Sequence, residues 1–180
     1  MSIITGRGDD GETDLMFGRR IAKTSVRVAA IGSVDELNAA LGVARTVGSG
    51  EFAAATIDAV QERLVSLMGQ LATLSGDSER YLKAAYGRIQ ADDVQWLEEV
   101  ARALEATAGK FTGWARPGAG APPASAHLDL ARAIARRAER DVRLLDELDG
   151  PLPGELLLFL NRLSDVLWLM ARHAAHSPVQ

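Results

Sequence analysis

Five apolar stripes, each built from three- and four-residue steps, constrain this chain more than any other feature. They run through Val34, Leu37, Leu41 and Ala44; Ile57, Val60, Leu64, Leu67, Leu71 and Leu74; Val94, Leu97, Ala101, Leu104 and Ala108; Ala131, Ala135, Ala138, Val142 and Leu145; and Leu156, Leu160, Leu163, Leu167, Met170 and Ala174. This is the period of an α-helix, so each stripe marks a helix face that must find an apolar partner. Alternation with period two, the mark of a half-buried strand, is scarce. Gly48, Ser49 and Gly50 divide the first stripe from the second, and Gly150, Pro151, Pro153 and Gly154 divide the fourth from the fifth. Short connections between long amphipathic helices favour antiparallel neighbours. The expected fold is therefore all-α, an antiparallel five-helix bundle. At 180 residues the chain suits a single domain, 1–180, with a sizeable core. Ser33 and Glu36 have the spacing of a capping box, which predicts a helix start at Ser33. Asp35 and Glu36 would then sit in the first turn, where the helix dipole favours acids.

Two stretches fall outside the helical pattern. Residues 1–32 are rich in glycine and charge and lead into Val26, Val28, Ala29 and Ile31, while residues 109–125 combine Gly and Pro with Phe111 and Trp114. Such segments read either as functional loops or as a frayed terminus and a flexible linker. Composition narrows the chemistry further. The chain has no cysteine, which excludes disulfides, thiolate catalysis and cysteine-ligated metals. No uncharged apolar run reaches the roughly 18 residues that a membrane helix needs. Met1 to Asp14 is polar and acidic, unlike a secretion signal or an organelle transit peptide, so a cytoplasmic location is expected. A net charge of −4 argues against general affinity for nucleic acid.

The charges are unevenly placed. Arg132, Arg136, Arg140 and Arg143 follow one another at steps of four, four and three, so a helix carries them on one face. Four like charges repel unless something neutralises them. Polyphosphate would do so through charge-assisted hydrogen bonds; the alternative is a solvated face with Glu139 and Asp141 as local partners. The segment Thr5-Gly6-Arg7-Gly8-Asp9-Asp10-Gly11-Glu12-Thr13, followed by Arg19, Arg20 and Lys23, offers backbone N–H groups, hydroxyls and cations to a phosphate without being a Walker A sequence. Asn161, Asp165, Trp168 and Arg172 form a second, polar face on the last helix. Asn161 and Asp165 could turn toward a ligand or make an interhelical ion pair. His127, His173 and His176 form no metal-ligand spacing and no Ser/His/Asp set, so the residues offer no protein nucleophile and no dedicated metal cage.

Four segments, in order, resemble the PduO-type family of ATP-dependent corrinoid adenosyltransferases. Thr5 to Thr13 is similar to the family's Thr-Arg/Lys-x-Gly-Asp-x-Gly-x-Thr, and Lys23 falls where the family has its phosphate lysine. Gly32-Ser33-Val34-Asp35-Glu36-Leu37-Asn38 is similar to Gly-Thr-x-Asp-Glu-Leu-Asn. Arg132 followed by Arg136-Arg137-Ala138-Glu139-Arg140 resembles the family's arginine helix, and Leu160-Asn161-Arg162-Leu163-Ser164-Asp165 its Leu-Asn-Arg-Leu-Ser-Asp.

The resemblance implies a homotrimer with ATP bound between subunits, in which cob(I)alamin attacks C5′ of ATP and triphosphate leaves. It implies that Thr5, Gly8, Asp9, Thr13 and Lys23 hold the nucleotide from one side within an N-terminal segment of about residues 1–32. Arg136, Arg137, Glu139, Arg140 and Asn161 would hold it from the other. Asp165 would line the cobalamin side, and Arg136, Asn161 and Asp165 are the candidate catalytic residues. Asp35 and Arg132 would form an intersubunit ion pair. Mg²⁺ would accompany the phosphates, a flavin reductase would supply the electron, and a cobalamin-dependent enzyme would take the product. A bulky apolar residue would displace the lower cobalt ligand, a part that falls to Trp114 with Phe111 as second candidate.

The sequence also departs from the family. The basic residue of the first segment is shifted to Arg7, Asp14 adds a negative charge there, and Trp114-Ala115-Arg116-Pro117-Gly118 replaces Phe-x-Leu-Pro-Gly-Gly. Asp129 stands in place of a histidine. A trimer that binds ATP or corrinoid without turnover, as carrier or regulator, is the alternative.

Overall fold

The computed structural model of the chain describes residues 4–47, 50–107, 114–119 and 121–176. Five long helices carry the five stripes: α1 (Val26–Thr46), α2 (Glu51–Leu71), α4 (Ala91–Thr107), α5 (Pro123–Leu148) and α6 (Gly154–His176). A one-turn-and-a-half helix, α3 (Ser78–Lys83), lies between α2 and α4, and strands β1 (Glu12–Asp14) and β2 (Arg20–Ala22) precede α1. The architecture is thus mostly helical, with one addition to the expected helix set and a small antiparallel hairpin that the sequence did not announce.

The core is one contiguous apolar cluster. Leu37 and Leu41 of α1, Leu64 and Leu67 of α2, Leu97 of α4, Leu128 and Leu145 of α5, and Leu156, Phe159 and Leu160 of α6 are all inaccessible to solvent. Helix α5 packs against both α1 and α6, and α6 also carries α4. Ion pairs fix directions: Arg27 near the start of α1 meets Asp149 just past the end of α5, and Glu36 meets Arg137, so α1 and α5 run antiparallel. No helix of the described residues is long and apolar enough to cross a membrane.

Three boundaries differ from the expectation. Helix α1 begins seven residues before Ser33, with Ser25 as the N-cap, its hydroxyl accepting from the N–H of Val28 at 3.3 Å. Ser33 is buried inside the helix and its Oγ donates to the Ala30 carbonyl at 3.0 Å. Ser33 and Glu36 are therefore no capping box, and Asp35 and Glu36 are mid-helix, away from the dipole's positive end. Helix α2 stops at Leu71, and Leu74 leads instead into a 3-10 turn over Ser75–Asp77. Helix α5 starts at Pro123, whose fixed φ suits a first helical turn and whose missing N–H has no intrahelical partner to lose. Of the predicted breaker Gly48-Ser49-Gly50, Gly50 is described, as the N-cap of α2 with a φ of +81°; Gly48 and Ser49 lie outside the described residues, as does Ala108 of the third stripe.

Candidate functional site

The N-terminal segment is organised by an arginine. Arg20 on β2 donates to both oxygens of Asp10 at 2.9 Å, to Glu12 at 3.0 Å, to Asp14 at 3.4 Å and to the Arg7 carbonyl at 3.0 Å. The Glu12 N–H also donates to Asp10, and together with Arg20 this holds the Asp10 carboxyl below its ordinary range. Asp14 takes a second ion pair from Arg7 at 3.0 Å. The negative charge that looked out of place beside a phosphate segment is thus already neutralised by two arginines.

Lys23, the candidate phosphate lysine, donates from Nζ to the Gly8 carbonyl at 2.7 Å. A Cβ at Gly8 would stand 2.8 Å from that Nζ, so a side chain there would push the lysine tip from its present place. Thr5 accepts from the Arg7 N–H, Asp9 donates its N–H to the Gly6 carbonyl, and Thr13 pairs with Ile21 across the hairpin. These contacts stay within residues 5–23.

The hairpin is anchored at its tip. Arg19 grips Asp77 with two bonds, at 2.6 and 3.0 Å, and keeps that carboxyl below the usual range. Arg80 stacks 4.3 Å from the Phe17 ring centre, and Phe17 adopts a left-handed φ of 60° next to Gly18 at +73°.

The second half of the site lies on α5 and α6. Arg136, Arg140 and Arg143 line an open groove of about 510 Å³ with Glu139 and Asn161, and Leu157 and Leu158 complete it. Arg143 is paired with Asp146 at 3.2 Å. Arg140 donates to the Arg136 carbonyl at 2.9 Å. Among the described residues neither Arg136 nor Arg140 has an acid partner, so the groove holds two uncompensated guanidinium groups beside a single occupied carboxylate. Glu139 accepts from the Asn161 amide at 3.2 Å, and Arg162 donates to Asn161 Oδ1 at 2.9 Å and to Glu98 at 3.0 Å. This chain of polar contacts links α5 to α6 to α4.

The structure therefore gathers Arg136, Glu139, Arg140 and Asn161, but turns other predicted residues elsewhere. Arg137 meets Glu36 of α1 and is not among the groove's lining. The four-arginine face is divided, since Arg132 bonds Asp129 at 3.4 Å and Arg143 bonds Asp146. Asp165, exposed, borders a second groove of about 460 Å³ between α4 and α6, floored by Leu97, Ala101, Trp168 and Leu169. Arg172, expected on a polar face, is 6% exposed and paired with Asp129. Trp114 is 90% exposed and leads into the Pro117-Gly118 turn; Phe111 lies outside the described residues. Asp35 is exposed on α1. Sequence reasoning missed the organising role of Arg20, because its partners converge only when two strands pair.

Residues 3–174 match the family model of cobalamin adenosyltransferases. Over 174 residues the chain is 36% identical to the corrinoid adenosyltransferase PduO of Salmonella typhimurium, which covers 96% of this chain and 49% of that protein, so it spans about half of that relative. It is 35% identical to a corrinoid adenosyltransferase of Citrobacter freundii, covering 98% of this chain and 96% of the relative. Among solved structures, a variant of the PduO-type ATP:corrinoid adenosyltransferase of Lactobacillus reuteri complexed with cobalamin and ATP superposes with a TM-score of 0.87 at 30% identity, over 97% of this chain and 94% of the other. The family-model match over residues 3–174 and the 35% identity across nearly the whole of both chains place this chain in the cobalamin adenosyltransferase family.

Proposed function

We propose that the chain transfers the 5′-deoxyadenosyl group of ATP to cob(I)alamin, forming adenosylcobalamin and releasing triphosphate. The observation that carries this reading is the α5–α6 groove, where Arg136 and Arg140 lack acid partners among the described residues while Asn161 is held in place by Glu139 and Arg162. A departing triphosphate supplies the charge those guanidinium groups need. Preorganised cations aimed at a leaving group lower the barrier without reorganising during the reaction. The other task is alignment: the nucleophilic cobalt and C5′ must meet in line, and a reaction between two bound partners gains most from being held. Neither task requires a protein nucleophile.

The nucleotide lies between subunits of a homotrimer in this reading, with Thr5, Gly8, Asp9, Thr13 and Lys23 of one copy facing the arginine groove of the next. Among the described residues the segment 5–23 bonds within itself and to Ala72 and Asp77, with no hydrogen bond or ion pair to α5, which supports this reading. Mg²⁺ enters as the counter-ion of ATP; among the described residues no group of three or more His, Cys, Asp or Glu is gathered to hold a metal. Asp165 and the apolar floor between α4 and α6 suit the corrinoid side. The electron for cob(II)alamin comes from a separate reductase, and the product passes to a cobalamin-dependent enzyme.

The test is an anaerobic assay with chemically prereduced cob(I)alamin, ATP and Mg²⁺, following loss of the cob(I)alamin absorbance. Protein-dependent formation of adenosylcobalamin is the expected result. ATP binding without product would overturn it and favour a carrier or regulator. A second expectation concerns the exposed Trp114. If its ring occupies the lower face of cobalt, Trp114→Ala lowers the rate from cob(II)alamin plus reductant at least tenfold, and the rate from prereduced cob(I)alamin only a few-fold. Equal losses on both routes would remove Trp114 from that position.

A further inference from the structure

Asp129 sits on α5 between two arginines. It is 4% exposed; Oδ1 accepts from Nε of Arg132 at 3.4 Å, and Oδ2 accepts from Arg172. Arg172 is itself 6% exposed, with its guanidinium 5.9 Å from the Trp168 ring centre. A buried carboxylate persists when it is paired: Arg172 serves Oδ2 and Arg132 serves Oδ1.

Arg132 is engaged through Nε only. Its side chain is 27% exposed, yet among the described residues neither terminal nitrogen has a hydrogen-bond partner. The guanidinium is thus fixed at its root while its forked edge, the edge that binds a carboxylate in two parallel bonds, stays available. Of the other acids along this part of α5 and α1, Glu36 is taken by Arg137, Glu139 by Asn161 and Asp146 by Arg143, while Asp141 lies nine residues beyond Arg132, roughly 13 Å along the helix. Asp35 is exposed and makes no ion pair among the described residues. Because Glu36 lies beside Arg137 in the antiparallel α1–α5 pair, Asp35 is displaced from Arg132 of its own chain by roughly 9 Å along the axis. The family resemblance implies Asp35 of a second copy of the chain as the partner of that edge.

We propose that Asp129 is a positioning residue that holds Arg132 ready for Asp35 of a neighbouring copy. This rests on the trimeric reading above; the new element is Asp129, which takes the free rotation out of a long side chain before the subunits meet.

The experiment is a double-mutant cycle. Asp129→Leu together with Arg172→Met replaces the buried pair by apolar side chains and leaves Arg132 unheld. Such replacements usually preserve the fold, which the thermal midpoint checks. Sedimentation equilibrium and ATP kinetics are then measured with and without Arg132→Ala. With Arg132 present, the pair replacement should raise the subunit dissociation constant about tenfold, and KM for ATP several-fold. With Arg132→Ala already in place it should cost nothing further. Equal costs in both backgrounds, or no cost in either, would overturn the role of Asp129. If the double replacement unfolds, Asp129→Asn, which keeps an acceptor oxygen for Arg172, runs the same cycle. A wild-type chain that stays monomeric at all concentrations would sink the trimeric reading itself, whereas a trimeric wild type with additive costs would sink only this proposal.

Discussion

Replacing Arg136 by alanine lowers kcat/KM for ATP about 100-fold and leaves the thermal midpoint within about 2 °C of the wild type. Arg136 is exposed in the groove and makes no ion pair among the described residues, so the folded protein loses nothing by its removal. The cost falls on the bound anion alone. Arg140 is less diagnostic, because it also donates to the Arg136 carbonyl. Steady-state kinetics with prereduced cob(I)alamin and variable ATP, together with a melting curve, decide the matter. A variant that keeps more than a third of its activity would remove Arg136 from the triphosphate.

The second large effect is on stability. Arg27 is 3% exposed and joins three elements: its Nε bonds Asp149 beyond α5 at 2.8 Å, and one terminal nitrogen bonds the Leu71 carbonyl at 2.5 Å and the Thr73 carbonyl at 3.1 Å. Those two carbonyls belong to the end of α2 and the stretch after it, where helical partners have run out. Arg27→Met keeps the apolar stem and removes every donor. Leaving buried acceptors unsatisfied costs about 3 kcal/mol in total. For a domain of this size that lowers the midpoint by roughly 10 °C. Differential scanning calorimetry measures it, and a shift under about 3 °C would mean the three elements hold together without this residue. Activity at low temperature should survive, since Arg27 lines neither groove described above.

The parts of this architecture that could be read from the residues were those repeated over several turns. Leu156, Leu160, Leu163 and Leu167 announce α6 because burial imposes the same period four times. The start of α1 was illegible for the opposite reason. Val26, Val28, Ala29 and Ile31 include β-branched residues with no clear stripe, and Ser33 with Glu36 imitates a cap, although Ser33 bonds its own helix backbone. Three-residue strands such as Glu12–Asp14 are too short to show any period. That Arg136 and Arg140 share a groove was legible from helical spacing, whereas Glu139 entered only through the family's motif. The fates of Arg132 and Arg137 were not legible. Both depend on which acid of another turn or another helix lies nearest, and spacing along one helix carries no information about that.

Helix α6 is the common wall of both grooves, with Asn161 on one side and Asp165 on the other. Four residues of helix separate these positions by about 6 Å along the axis. The offset between the two chambers is consequently a ruler made of backbone hydrogen bonds. A proline or an inserted residue between Asn161 and Asp165 would therefore throw the two grooves out of register with each other.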